Sequence, residues 1–177
     1  MIASTVAGVA LGAVLAGCTG GSGPAPRQSP APPSPTYPLP ARSVRLSETP
    51  VAGATAVSGP VSVAVIGVRA HMPLLAGTHA DFAPRGEFDR LRVAVQNDSR
   101  SFVFLTLADI VLVTDDGTAH HPDPQAMVIK RQPESIDLGS QDGVQFDLYY
   151  DVPKGSKLRL LRLTDVDPAA QVPLPST

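Results

Sequence analysis

The stretch Val144–Val152, VQFDLYYDV, decides the fold because it alternates apolar and polar side chains over nine positions. Successive side chains of a strand point to opposite faces, so a half-buried strand shows a period of two. One face of this stretch carries Val144, Phe146, Leu148 and Tyr150, and the other carries Gln145, Asp147, Tyr149 and Asp151. Pro153 then ends the run, since proline cannot donate to a strand ladder. The stretch predicts a strand packed through its even-numbered residues.

Similar short apolar runs precede and follow this stretch, and residues typical of tight turns separate them. The runs are 61–65, 91–95, 102–107, 110–113 and 158–163, and the turns include 97–99, 116–117 and 153–155. No window shows a sustained helical period. The pattern therefore predicts an all-β protein folded as an antiparallel β-sandwich, and we expect its core to be built from Phe88, Phe102, Phe104 and Phe146 with the aliphatic residues around them.

Four short motifs within about Val61 to Asp165 resemble the immunoglobulin-like domains of bacterial lipoproteins of unknown function, a fold shared with small secreted actinobacterial antigens. The motifs are the Gly-Glu-Phe start at 86–88, the strand 91–97 ending in Asn, the hairpin 112–117 ending in Asp-Gly, and Phe-Asp-Leu-Tyr-Tyr-Asp-Val-Pro-Lys-Gly at 146–155. The resemblance implies an immunoglobulin-like β-sandwich on the outer side of a membrane. It brings no catalytic residues to carry over.

The amino terminus resembles a lipoprotein signal. An apolar run of 17 residues ends in Leu15, Ala16 and Gly17, directly before Cys18, which is the single cysteine of the chain. As a helix these residues reach about 25 Å, short of the ~30 Å hydrocarbon core of a bilayer. The resemblance implies cleavage before Cys18 and acylation of that residue, which would anchor the protein to the membrane on its extracytoplasmic face.

Proline, glycine and small residues dominate the segment that follows, from Thr19 to about Ser43. Such a composition cannot bury a core, so we expect a disordered stalk that reaches at most about 75 Å in polyproline II conformation. The predicted organisation is a signal peptide at 1–17, a lipidated cysteine and linker at 18–45, one β-sandwich at 46–170 and a flexible tail at 171–177.

Charge and spacing exclude several function classes. The formal net charge is −2, and the chain lacks the basic field that nucleic-acid binding requires. We interpret its one basic cluster, Lys154, Lys157, Arg159 and Arg162, as solvated positions. We also interpret Asp115-Asp116-Gly117 as a hairpin turn, because it lacks the alternating oxygen ligands of a calcium loop.

Four histidines and two aspartates are of the types that bind zinc or copper: His71, His79, His120, His121, Asp81 and Asp123. Adjacent His120 and His121 should point to opposite faces of an extended chain, so we expect no metal site and no cofactor. No serine sits in a nucleophile motif, and we expect no enzyme. The leading hypothesis is a membrane-anchored module that binds a protein or ligand of the cell envelope. The alternative is a structural or assembly subunit of an envelope complex.

Overall fold

The computed structural model describes residues 45–78 and 80–175, and these residues fold into eleven strands and two short helical segments. The strands are β1 (Thr49–Pro50), β2 (Thr55–Ser58), β3 (Val61–Met72), β4 (Glu87–Asn97), β5 (Val103–Thr106), β6 (Ile110–Thr114), β7 (Ala119–His120), β8 (Ser135–Leu138), β9 (Gly143–Val152), β10 (Leu158–Leu163) and β11 (Ala170–Pro173). The helical segments are a 3-10 turn at Leu107–Asp109 and helix α1 at Pro124–Ile129.

Every strand pairing is antiparallel, which confirms the predicted all-β class. In the first sheet β3 pairs with β4, β4 pairs with β9, and the other edge of β3 is covered in turn by β2 and β1. The second sheet has the order β11-β10-β6-β7, and β5 and β8 form a separate two-stranded ribbon. Long β3 and β4 account for most of the first sheet because both carry valine or leucine at alternating positions.

One hydrophobic core joins the two larger sheets. From the first sheet it takes Leu91, Val93, Phe146, Leu148 and Tyr150, and from the second Ile110, Leu112, Leu161, Leu163 and Val172. The wholly buried Tyr150 donates its hydroxyl hydrogen to the carbonyl oxygen of Ile110 at 2.8 Å. A buried hydroxyl needs such a partner, and this bond ties the two sheets together at their centre.

The predicted aromatic core is half right. Phe88 and Phe146 are buried, whereas Phe102 and Phe104 are 84% and 56% exposed. The ribbon of β5 and β8 packs on the core through Leu105, so the alternation of β5 turns Phe104 to the other side. The run 102–107 is apolar on both faces, and period alone could not say which face is buried.

The polar face of β9 is also covered, contrary to the predicted alternation of core and solvent. Asp147 and Tyr149 are buried. The residues that enter the domain, Arg45–Pro50, are called the N-terminal strap below, and two of their side chains form ion pairs on this face of β4 and β9. Its Glu48 accepts from Arg90 Nη2 at 3.1 Å and from Arg92 Nη2 at 2.6 Å, and its Arg45 pairs with Asp147. The strap packs closely on β3 because position 67 is glycine. A Cβ at that position would lie 2.7 Å from the Glu48 side chain.

Among the elements absent from the prediction, two bear on the domain boundary and the site, namely β11 and α1. Residues 171–173, expected to belong to a flexible tail, form β11 with Ala170 and pair with β10, and Val172 is wholly buried. Helix α1 has six residues, too few to show a helical period, although Asp123 caps it and Pro124 stands at its first position. The folded domain therefore extends past residue 170.

Candidate functional site

The predicted anchor, Cys18 with Leu15, Ala16 and Gly17, lies outside the described residues, and so does His79. Lipid attachment at Cys18 therefore stays a prediction. Within 45–78 and 80–175, no helix has the length and apolar composition needed to cross a bilayer.

The histidines and aspartates of metal-binding type lie at separate places in the described structure. His71 lies at the end of β3 and pairs with Glu87, whereas His120 and His121 lie on and after β7, with Asp123 two residues further on. In the part of the chain that the structure describes, no group of three or more His, Cys, Asp or Glu side chains is placed to hold a metal ion.

The described residues form an open cleft of about 710 Å³, called the end cleft below. The first wall joins the start of β4 to the end of β9, and the second wall runs from β7 to the start of α1. Its lining comprises Arg85, Gly86, Ala119, His120, His121, Pro122, Asp123, Pro124, Asp151, Val152 and Pro153.

The first wall is fixed by backbone hydrogen bonds to Asp151. The backbone N–H of Arg85 donates to its Oδ2 at 2.8 Å and that of Gly86 to its Oδ1 at 3.0 Å. Any Cβ at position 86 would collide with the carbonyl group of Val152, so only glycine allows the two segments to approach this closely. This arrangement leaves the exposed Arg85 guanidinium at the rim, with no ion pair among the described residues.

The second wall is held by Asp123. Its backbone N–H donates to the Tyr149 carbonyl oxygen at 2.7 Å, which ties the wall to the free edge of β9. Its side chain accepts from the Ala126 N–H at 2.7 Å and so caps α1. The two carboxylates that line the end cleft, those of Asp123 and Asp151, thus form the hydrogen bonds that hold its walls.

Hydrogen bonds also settle which ring nitrogens carry the proton in the two histidines. His121 Nδ1 lies 2.8 Å from the Ala108 carbonyl oxygen, an acceptor only, so Nδ1 carries the hydrogen. His120 Nε2 lies 3.2 Å from Thr114 Oγ1, whose own hydrogen goes to Asp116 or to the Thr118 carbonyl, so Nε2 donates to that hydroxyl oxygen. In the neutral rings His121 Nε2 and His120 Nδ1 remain as acceptors for a ligand.

The chemistry of this lining suits recognition. Arg85 offers several N–H donors, the two histidines offer acceptors, and the prolines and Val152 offer apolar surface. None of the described residues that line the cleft is a serine, threonine or cysteine that could act as a nucleophile. Sequence reasoning missed Arg85; the signal that could have found it is the glycine that follows it, directly before a strand.

The structure also locates the predicted hairpin turn and the predicted basic cluster. Asp115-Asp116-Gly117 forms the β6–β7 turn, in which Gly117 has a φ of 83°. Hydrogen bonds from Thr114 and Thr118 lower the pKa of Asp116 to about 2. In the predicted basic cluster, Lys154, Lys157 and Arg159 are exposed and Arg162 is half-buried, along the β9–β10 turn and β10.

Comparison with known proteins does not indicate a function for this chain. No protein-family model matches the chain, and no curated protein matches it in sequence. Among solved structures, a conserved hypothetical protein from Bacillus anthracis is 18% identical with a TM-score of 0.48, over 73% of this chain and 99% of that chain. The yjhA protein from Bacillus subtilis is 17% identical with a TM-score of 0.49, over 65% of this chain and 81% of that chain.

Proposed function

We propose that this protein is a lipid-anchored binding module, held to the extracytoplasmic face of the cell membrane through Cys18, whose end cleft binds a protein segment or a polar ligand of the envelope. The observation that supports binding is the end cleft itself. Its carboxylates hold the walls in place, and the groups left over are an unpaired cation and two histidine acceptors. Preformed concave sites with a few polar groups are typical of ligand recognition.

Site-specific crosslinking in cells tests the proposal. A photoreactive residue at Ala119, exposed in the end cleft, should give one defined adduct in the full chain. The same residue at Gln171, exposed on β11 and not part of the cleft lining, should give none. Arg85→Gln should reduce the Ala119 adduct, and Arg159→Gln, which removes an equally exposed cation elsewhere, should leave it unchanged. An adduct that is indifferent to Arg85→Gln, or that forms equally from Gln171, contradicts a role for the cleft.

We also expect the crosslink to persist in the presence of a chelator. The spacing of the histidines predicts no metal site, so a chelator would have no bound ion to remove from the cleft. Loss of the adduct on chelation, restored by zinc, would show that the histidines bind a metal and that the proposal of a metal-free cleft is wrong.

A structural or assembly role is the second candidate, and one observation favours it. Phe102 and Phe104 are two positions apart, so both lie on the side of the β5–β8 ribbon that does not pack on the core. Exposed aromatic side chains are characteristic of protein interfaces. If the protein is a fixed subunit, Phe102→Ser with Phe104→Ser should abolish stoichiometric co-purification with one envelope complex while Arg85→Gln has no effect.

A further inference from the structure

We propose that a second, smaller pocket, on the strap-bearing face of the first sheet, binds a phosphate group. The pocket has a volume of about 170 Å³, and its polar lining is Arg69, Arg90, Lys130 and Tyr149. We call it the anion pocket. It shares no residue with the end cleft.

Strand register brings these side chains together. Arg69 on β3 is opposite Arg90 on β4, and Arg90 is opposite Tyr149 on β9, so the three form one row on one face of the sheet. Lys130, at the end of α1, approaches from outside the sheet, and its Nζ donates to the Ala76 carbonyl oxygen at 2.6 Å. Like charges directly opposite each other destabilise a sheet, so the Arg69–Arg90 pair calls for a counter-charge.

The described residues supply too few carboxylates to balance the cations on this face. Glu48 pairs with Arg90 and Arg92, and Asp147 pairs with Arg45 and lies 3.8 Å from Arg92 Nε. No carboxylate among the described residues forms an ion pair with Arg69 or Lys130. Five cations therefore share two carboxylates, in a chain whose formal net charge is −2.

Size and donor chemistry favour a phosphate group. At about 30 Å³ per water, a pocket of 170 Å³ has room for about six waters, enough for the five heavy atoms of a phosphate ion. Guanidinium forks bind phosphate oxygens in pairs, and an ammonium adds a point charge. Burial raises the pKa of Tyr149, so its hydroxyl stays protonated and remains a donor at neutral pH.

The test is calorimetric titration of the full chain, in a buffer free of phosphate, with three probes. Inorganic phosphate represents a free anion, glycerol 3-phosphate a monoester, and glycerophosphoglycerol the diester headgroup of a common phospholipid. We expect saturable binding of at least one probe, and the tightest of the three identifies the source of the phosphate group. Potassium chloride at matched ionic strength should give no saturable heat.

Variants assign the binding to the pocket. Arg69→Gln and Lys130→Gln should each weaken binding at least about tenfold, the loss expected for one charge-assisted hydrogen bond. Arg159→Gln removes the same charge from an exposed position of β10 and should leave affinity unchanged. Neither pocket side chain is buried, so the thermal midpoints of the variants should match that of the parent and separate lost binding from lost folding.

The proposal is overturned if none of the probes saturates, or if potassium chloride reproduces their heats. It is also overturned if Arg159→Gln weakens binding as much as Arg69→Gln and Lys130→Gln do, or if both pocket variants bind like the parent.

Discussion

Glu48 shows why the polar face of a predicted strand need not be exposed to solvent. Its carboxylate is buried against Arg90 and Arg92, and with Arg45 it holds the N-terminal strap over Asp147 and Tyr149. The alternation in Val144–Val152 correctly separates two faces, but a polar face is exposed only if nothing covers it. Since ion pairs between distant residues leave no local signal, the sequence could not reveal the cover.

Two phenylalanines provide a matched test of the core. Phe146→Ala should lower the free energy of unfolding by about 3 to 5 kcal/mol, because its buried ring would leave a cavity. Phe102→Ala, at an exposed ring, should cost less than about 0.5 kcal/mol. Urea denaturation of both variants measures the difference, and similar losses would mean that the assigned face of β5 is wrong.

The strand pattern alone places Tyr149 on the polar face of β9 and predicts a small cost for Tyr149→Ala. Because the structure buries Tyr149, we expect a loss on the order of 2 kcal/mol or more in the same urea assay. A loss as small as that of Phe102→Ala would show that this face is not covered in solution.

His71 should make stability depend on pH. It has a φ of 56°, and its Nδ1 lies 2.7 Å from Glu87 Oε1. The hydrogen bond to Glu87 raises the pKa of His71 above its ordinary 6.5, although burial acts in the opposite direction. A pKa raised by folding means that the contribution is fully present below pH 6.5 and is lost as pH rises through the folded-state value.

The measurement is urea denaturation at about pH 6 and about pH 9, on either side of the histidine titration, with His71→Gln as the comparison. The ring is half exposed, so screening limits the loss to less than about 1 kcal/mol. Burial raises the pKa of nearby Asp89 as well, and His71→Gln leaves that carboxyl in place, so comparing the variant with the parent separates the contribution of His71 from that of Asp89. If His71→Gln loses as much stability as the parent between the two pH values, another group is responsible.

At the scale of elements, strands with clear alternation were predictable and short ones were not. β3, β4, β9 and β10 each carry a period of two or a continuous apolar run, and all were found. The two-residue strands β1 and β7 are too short for any period, and β11 (AQVP) has four residues and ends in a proline. The end cleft depends on the same short segments, which meet only through tertiary contacts, so neither it nor the anion pocket was predictable.

Strand β11 gives a prediction at this scale. Deleting 170–177 should lower the thermal midpoint by several degrees, because Val172 would leave the core and β10 would lose its partner on one side. Deleting only 176–177 serves as the control and should have no effect. Equal midpoints for the two deletions would mean that these residues behave as the flexible tail first predicted.

For the whole molecule, the anchor is tested by metabolic labelling with a fatty acid. Cys18→Ser removes the thiol that the proposed acylation needs, so label should disappear and the uncleaved precursor should accumulate. Undiminished label in this variant would contradict lipid attachment at Cys18.

The boundary of the folded unit is tested by limited proteolysis. We expect cleavage within the proline-rich segment before residue 44 and a resistant fragment that still contains the N-terminal strap, because buried Glu48 holds that strap to the sheet. Mass spectrometry of the fragment identifies its first residue. A fragment that begins after Pro50, or early cleavage within 144–152, would contradict the described packing.

If Cys18 anchors the protein as proposed, the N-terminal strap has a mechanical consequence. Tension in the tether would enter the domain at Arg45 and load the ion pairs of Glu48 before it reached the core. β1 pairs with β3 through only Thr49 and Pro50, so the strap can peel away in a step that leaves β3, β4 and β9 paired. Such a step would lengthen the tether under load and would uncover Arg90 and Arg92, the partners of Glu48, making the exposure of these two side chains sensitive to force.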